Sequence, residues 1–571
     1  MGLEVSIAKC LSSVSGIDQA ELIKGITDTK DISHGDYAFP CFQLSKSLKK
    51  SPNEIAIELK GQISLPKEFS KVEALGPYLN FFLDRSTLAK DTVSQVLEDK
   101  FNFGKSKFDE KIVIDYSSPN IAKPFHVGHF RTTAIGHSLE KIYRHRGYNV
   151  ISINHLGDWG TQFGFVYAGK EIWGLPENPE VSDLVNLYKE ATQLKADQEE
   201  DNRLDLPKVN QMARDYFINL EAGQPEAVKF WELCLEVSMK YLRRIYERLG
   251  VNFDYFIGES FYRDQLNNVK VVLEKADILS KSRDSLGVDL GKELGFARVF
   301  SDDGRSLYLT RDIATALYRY KTYQADEVLY VVGAPQSLHF KQLKSILEKV
   351  DPKIGKMITH VPYGHVPGIK TRGSNEDKNS LKDLIDEAHD RALEVYRTEV
   401  SKRPEDIDEE LVAESVGLGA LFFNYLQRSN IKDFHFNWES ALNFQGDTGP
   451  YLQYALARLY SIESQSRLNK IELDLDFDAK SIIDDDSYRI VKLLSDFPNI
   501  LDKVIEEKEP YYLCFYSLSL AKALSSAYKK LRVIGEKDLK VSNSRLALFT
   551  ASKYILERSL SLLGIPPLER M

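Results

Sequence analysis

The stretch KIVIDYSSPNIAKPFHVGHFRTTAIGHSLEKIYRHRG, Lys111–Gly147, decides the fold. Its first residues, KIVIDYS, are a short β-branched run of the kind found in strands buried on both faces. A loop containing Pro119 and Pro124 follows. From there Phe130, Ala134, Leu139 and Ile142 recur near one face of a helix, and Gly147 supplies its stop. YNVISINHLG, Tyr148–Gly157, reads as a second strand. Strand, helix, strand is the βαβ unit of a doubly wound, nucleotide-binding sheet.

HVGH falls where that helix begins. His126 and His129 are three apart, so they share the first helical turn. Gly128 removes a side chain where a nucleotide would pack against backbone. A helix N-terminus presents free N–H groups to anionic oxygens. Imidazoles placed there can donate to an α-phosphate as charge develops on it. Alone, H-x-G-H is weak, because capping or surface histidines give the same letters. Its place between a strand, a Pro-containing loop and a helix makes it specific.

Towards the C-terminus the pattern breaks. From Trp173 to about Lys292 the chain is charged and mostly helical, which reads as an insertion. The β/α alternation returns at ARVFSDDG (297–304), SLYLTRDIATALYRY (306–320) and EVLYVVGAPQSLHFKQLKSIL (327–347). A split nucleotide-binding α/β fold is the economical architecture. After Leu381 successive amphipathic helices suit an α-helical bundle. Towards the N-terminus, 1–100 reads as an α+β unit. It has helical patterns at Val5–Leu11 and Pro52–Leu59 and strands within Lys71–Leu83, and a charged linker EDKFNFGKSKFDEK closes it. The expected division is 1–100, then a catalytic 101–380 with its insertion at about 173–292, a helical connection 381–440 and a terminal helical domain 441–571.

The chain has 571 residues and a net charge of −9, which excludes a basic protein that coats nucleic acid. The average conceals a basic end: Ala521–Met571 holds ten Lys/Arg against four Asp/Glu. Cys10, Cys41, Cys234 and Cys514 are scattered, without zinc or redox spacing, so a reducing compartment is expected. No leader and no apolar run near the roughly 20 residues of a membrane span is visible. A soluble cytoplasmic protein is expected, with a mitochondrial form left open. No tightly bound metal is expected.

The segment SSPNIAKPFHVGH, Ser117–His129, resembles the HIGH-motif region of class I aminoacyl-tRNA synthetases. GDWGTQFG (157–164), LYLTRD (307–312), FQGDTGPYLQYA (444–455) and the terminal LLGIPPLERM (562–571) are similar, in the same order, to segments of arginyl-tRNA synthetases. Eukaryotic or fungal members are the expected kin. The resemblance implies a class I Rossmann-type core with a helical insertion, an N-terminal α+β domain that touches tRNA and a C-terminal helical anticodon-binding domain. It implies activation of L-arginine by ATP, carried with Mg²⁺, to arginyl-adenylate and pyrophosphate. Transfer to the 3′ end of tRNA(Arg) then releases AMP. It also implies a monomer, and adenylate formation that can await bound tRNA.

The resemblance assigns residues as well. His126, Gly128 and His129 would hold ATP. The second ATP motif of the class, KMSKS, falls on HVPGIKTRGSNEDKNS (365–380) and is degenerate. Lys370 and Arg372 are cations available there. Lys123, just before HVGH, stands where many family members without KMSKS place a substitute, and the choice between Lys123 and Lys370 stays open. The arginine side chain would meet Glu259, Tyr308 and Asp312, because five fixed guanidinium donors call for planar acceptors. Lysine lacks the fork and citrulline lacks the charge. Two such carboxylates repel when the pocket is empty. Ser118, Asn120, His126 and Gln336 would hold the amino acid's α-amino and carboxylate ends. For tRNA, Tyr451, Tyr454 and Met571 match the anticodon region, and Tyr78 and Asn80 match the elbow contact. Leu75 stands where some relatives place Asn.

Rival readings are visible. A small nucleotidylyltransferase also uses H-x-G-H but needs only one short domain. An inactive tRNA-binding scaffold would be expected to lose His126 and His129 or the acidic pair. Another class I synthetase is the nearest enzymatic rival, and no zinc-binding cysteine set supports the cysteine enzyme.

Overall fold

The structure, a computed structural model, describes residues 3–29, 32–123, 125–200, 208–282, 285–302, 304–367, 380–399 and 406–571. Lys370 and Arg372 lie outside the described residues.

Five strands build the sheet that carries the site: β1 (Lys111–Asp115), β2 (Asn149–Asn154), β3 (Tyr255–Phe256), β4 (Glu327–Gly333) and β5 (Ile358–Tyr363). Their order is 3-2-1-4-5 and every pair is parallel. Ile112, Val113 and Ile114 of β1 and Val328, Leu329, Tyr330 and Val331 of β4 are buried. Unbroken apolar runs are what a sheet covered on both faces requires. β1 pairs with β2 on one side and β4 on the other, so the connections diverge beside it. Divergence opens a crevice at the carboxyl ends of the strands.

The helix α1 (Gly128–Arg146) ends at Gly147, whose φ of +98° favours a residue without Cβ. The expected apolar face is buried, but so are Arg131, Thr132, Thr133 and His137. Packing on two sides explains this. Phe130 meets Phe422 and Tyr425 edge-on. Thr132 donates to the Val331 carbonyl at 2.7 Å. Arg131 donates to the carbonyls of Asn430 at 2.7 Å and Lys432 at 2.9 Å. Thr133 meets the His129 carbonyl at 2.7 Å, whereas His137 only approaches Glu140, at 3.8 Å.

The range read as an insertion holds helices Val181–Glu200, Val209–Glu221 and Pro225–Leu249, but it also holds β3. A two-residue strand leaves no periodic signal. An antiparallel sheet of Ser280–Ser282, Ser285–Asp289 and Phe296–Ser301 precedes α2 (Tyr308–Tyr323). The helix α3 (Ser337–Val350) follows β4. Later helices span Leu381–Glu399, Glu409–Leu426, Gly449–Leu468, Asp485–Glu507, Tyr511–Tyr528 and Leu539–Leu562. Among the described residues no helix is long and apolar enough to cross a membrane.

The chain divides into two compact units. One joins Met1–Phe103 to Leu459–Asp496 and Lys522–Ile555, and the other holds Gly104–Arg458, Phe497–Ala521 and Leu556–Met571. In the first, strands Thr27–Asp28, Tyr37–Pro40, Tyr78–Leu83 and Phe69–Leu75 form an antiparallel sheet in that order. Helices Leu3–Ser15 and Pro52–Gln62 cover it, the latter started by a Ser51/Glu54 capping box. The first hundred residues have a core of their own, from Ile7 to Leu83, and share this unit with helical segments from late in the chain. Buried Asp36 accepts from the Tyr488 hydroxyl at 2.6 Å, and no local pattern could announce a contact at that separation.

Candidate active site

The site is built at the carboxyl edge of the parallel sheet. Asp115 ends β1, nearly buried, and takes a charge-assisted bond from Arg319 of α2 at 2.6 Å. Burial opposes the Arg319 charge, yet the Asp115 carboxylate holds its pKa above the usual value. The other Asp115 oxygen accepts from Ser118 Oγ at 2.9 Å. Between Asp115 and HVGH the backbone is strained. Ser117, Ser118 and Ala122 have φ of +73°, +47° and +56°. Each non-glycine residue there costs on the order of 1–3 kcal/mol. A polar net holds them in place. Ser117 N–H donates to Thr132 Oγ1 at 3.1 Å, Thr133 Oγ1 donates to Ser117 Oγ at 2.8 Å, and Ala122 N–H donates to Ser238 Oγ at 3.3 Å.

Asn120 is exposed at this edge, beside Gly157 of the β2 loop. Lys123 points its ammonium at the Tyr188 ring, 5.3 Å from the centroid. The two histidines are locked by backbone. Gly128 N–H donates to His126 Nδ1 at 3.1 Å, and His126 N–H donates to His129 Nδ1 at 3.0 Å. An amide can only donate, so His126 Nδ1 accepts and its Nε2 carries the proton, whereas His129 Nδ1 faces both the N–H and, at 3.1 Å, the carbonyl of His126, so either tautomer finds a partner there. Burial lowers the pKa of His126, with His365 adding to the effect. Burial takes His129 down to about 4. A Cβ on Gly128 would meet only His126 Nδ1, at an ordinary 3.4 Å. Packing within the protein therefore does not demand glycine there.

The loop after β5 reaches the same place. His365 N–H donates to Asp433 at 2.5 Å. At the far side of 368–379, Ser380 bridges to His126 and Leu381 N–H donates to the Phe125 carbonyl at 2.7 Å.

Glu259 follows β3, and Asp312 lies in the first turns of α2. Each of the two carboxylates already has a partner within the chain. Arg311 Nη1 pairs with Glu259 Oε2. His339 Nε2, from the first turn of α3, meets Asp312 Oδ2 at 2.5 Å. Burial raises the Glu259 pKa; Arg311 and His155 oppose that, and the Asp312 charge reinforces it. The repulsion foreseen is present but offset. Tyr308 opens α2 with 76% of its surface exposed, and the Arg311 guanidinium lies 5.7 Å from its ring. Gln336, exposed, ends the turn after β4.

Arg311, His339, His155 and Asp158 were not singled out by the sequence. Arg311 reads as a neighbour of Asp312 and His339 as a helix residue, so only folding reveals them. Asp158 had a signal, since it sits in GDWG. Its carboxylate accepts from Ser260 N–H at 2.8 Å and Ser260 Oγ at 2.6 Å. A Cβ on Gly258 would fall 2.1 Å from it, so the turn carrying Glu259 requires glycine. Asp158→Ala strands the Ser260 amide, at a cost of about 1–3 kcal/mol. Hydrogen exchange should accelerate in the peptide holding Gly258–Ser260, and unchanged exchange would count against the clamp.

The residues matched to tRNA contacts divide. Tyr78 is 41% exposed with Phe42 at 6.2 Å edge-on, whereas Asn80 is 5% exposed. Tyr451 and Tyr454 are half-buried, and Arg458 stacks on Tyr454 at 4.3 Å. Met571 packs against the cluster of Tyr396, Val412 and Leu568. The basic end is partly neutralised: Lys530, Arg545, Lys553 and Arg570 pair with Asp486, Glu536, Glu463 and Asp406. Among the described residues no group of three or more His, Cys, Asp or Glu could hold a metal ion.

Known proteins match this chain from end to end. The family described as "tRNA synthetases class I (R), catalytic domain" matches residues 92–438. The chain belongs to the arginyl-tRNA synthetases. Two further family descriptions match, "Arginyl tRNA synthetase N terminal domain" over 2–83 and "DALR anticodon binding domain" over 452–571. The arginine–tRNA ligase of Clostridium perfringens is 41% identical over 546 residues, 94% of each chain. That of Clostridioides difficile is 37% identical over 100% of this chain and 99% of its own. The solved arginyl-tRNA synthetase of Thermus thermophilus covers 100% of both chains at a TM-score of 0.81 and 24% identity, which shows the shared fold. The eukaryotic or fungal kinship expected from the sequence is thereby corrected to a bacterial one.

Proposed function

We infer that the chain activates L-arginine with ATP and transfers it to tRNA(Arg). The observation that carries this is the acidic pair at the sheet edge. Glu259 Oε2 and Asp312 Oδ2 are held by Arg311 and His339, which leaves Glu259 Oε1 and Asp312 Oδ1 to meet guanidinium donors. Tyr308 offers a further acceptor from the same helix. Ser118, Asn120, His126 and Gln336 hold the α-amino and carboxylate ends. The carboxylate attacks the α-phosphate, an acyl-phosphate bond forms and pyrophosphate leaves. The imidazole N–H groups of His126 and His129 stabilise the charge, and Gly128 leaves room for the nucleotide. Mg²⁺ enters with ATP, held mostly by phosphate and water.

Lys123 supplies the cation that a degenerate second motif gives up. Lys370 belongs to a segment whose flanks, His365 and Ser380, lie beside His126, and it shares that task. The tRNA 3′ hydroxyl then takes the arginyl group. Tyr451 and Tyr454, with Met571 bracing the C-terminal end, face the anticodon side, while Tyr78 stacks on an elbow base. Asn80 is too buried to reach a base without rearrangement and is better read as fixing the strand beneath Tyr78. The domain division stated from the sequence, and a cytoplasmic monomer, belong to the same reading.

The test is arginine-dependent pyrophosphate exchange with and without tRNA(Arg). Exchange with arginine, and none with citrulline or lysine, is expected. Exchange with a different amino acid, and none with arginine even when tRNA is present, would sink the assignment.

A further inference from the structure

We propose that Arg311 is a specificity-determining positioning residue, a resident guanidinium that keeps Glu259 ionised and aimed so that the pocket takes a cation in preference to its neutral isostere. The proposal rests on the reading of Glu259 as an arginine contact. Arg311 and Asp312 are consecutive on α2, so their side chains leave the helix about 100° apart. One supplies a carboxylate to the pocket. The other reaches Glu259, half-buried after β3, and donates through Nη1 to Oε2. Oε1 has no partner among the described residues. The pair thus fixes which face of the Glu259 carboxylate looks into the pocket.

The charge balance gives this contact its consequence. The groups whose charge reaches Glu259 are Arg311 and Asp312 from α2 and His155 from the end of β2. Burial already favours protonated Glu259, and Asp312 adds to that tendency. Arg311 is the main opposing cation. With it, the pocket presents a carboxylate that accepts from guanidinium N–H. Without it, the balance at Glu259 moves further towards the protonated form, which donates through that oxygen. A donor repels guanidinium but suits the ureido oxygen of citrulline. Arg311 therefore sets selectivity while touching neither substrate. The sign follows: loss of Arg311 raises the Glu259 pKa further, so arginine binding in the variant improves as pH rises.

The test is aminoacylation kinetics of the full chain with tRNA(Arg) and saturating ATP. Arg311→Met is expected to raise the arginine KM about 10- to 100-fold at pH 6.5, about the effect of one lost charge partner. kcat should fall less than about threefold. KM should recover at least about fivefold by pH 8.5, and discrimination against citrulline should fall by about tenfold. Arg311→Lys restores a positive charge and should recover part of the loss even if the Met variant folds poorly. An arginine KM unchanged in Arg311→Met overturns the proposal. So does a raised KM that is flat with pH and leaves citrulline discrimination intact. Glu259→Gln separates the two levels: if it leaves the arginine KM unaltered, the reading of Glu259 fails and takes the proposal with it. If Glu259→Gln raises KM and Arg311→Met does not, only the role of Arg311 falls.

Discussion

Asp312→Asn is expected to lower kcat/KM for arginine by about 30-fold to several thousand-fold, with nucleotide binding retained. The range is the roughly 2–5 kcal/mol lost when one partner of a desolvated, hydrogen-bonded charge pair is removed. Two effects add. The carboxamide carries no charge to meet the guanidinium, and its NH₂ turns a donor towards donors. His339 Nε2, now 2.5 Å from Asp312 Oδ2, loses its charged acceptor as well. Arginine kinetics and binding of an ATP analogue, measured on the same preparation, check the claim. His339→Gln separates the indirect part, because it disturbs the His339 contact and leaves the carboxylate. A loss under about fivefold in Asp312→Asn, with ATP binding normal, would remove Asp312 from the pocket.

Much of this site was legible because it is made of short, ordered segments. The β1–loop–α1 stretch announces itself by a change from unbroken apolar residues to helical spacing, with Gly147 as the stop. Those signals are local, and the structure repeats them. What was hidden is non-local. β3 is two residues long, so the helical stretch around it swallowed its signal. Arg311 and His339 are ordinary helix residues until folding brings β3, α2 and α3 to one edge. Both acids could be named from the sequence, but the side chains that hold them could not. Asn80 shows what a motif leaves out. It shares a strand face with Tyr78, two residues away, yet it is 5% exposed where Tyr78, at the start of the strand, is 41% exposed. Residue type travels with a motif, whereas exposure must be found in the fold.

His129→Ala is expected to lower kcat for pyrophosphate exchange by about 10²–10³-fold, the usual cost of losing one preorganised donor to developing charge. The reasoning depends on tautomer rather than on charge. His129 Nδ1 faces both the N–H and the carbonyl of His126, and the tautomer that accepts from the N–H is the one that leaves Nε2–H free to donate to phosphate. Burial has taken the pKa to about 4, partly opposed by the hydrogen bond with the His126 backbone. The ring is therefore neutral from pH 6 to 8 and remains a donor throughout. His129 should contribute no titration to the rate in that range. His129→Gln, whose amide nitrogen can reach the Nε2 position, should recover part of the rate, and alanine should not. Stability carries a second signature. The folded pKa lies below the ordinary value of about 6.5. The folded state thus resists protonation, and the contribution of His129 is complete above pH 6.5 and is lost as pH falls through about 4. Alanine removes that term, so acid unfolding of the variant should be less steep over this interval. Exchange kinetics at saturating arginine, ATP and tRNA, beside an acid-unfolding curve, measure both. Glutamine no better than alanine, or a loss under tenfold, would place His129 outside the phosphate site.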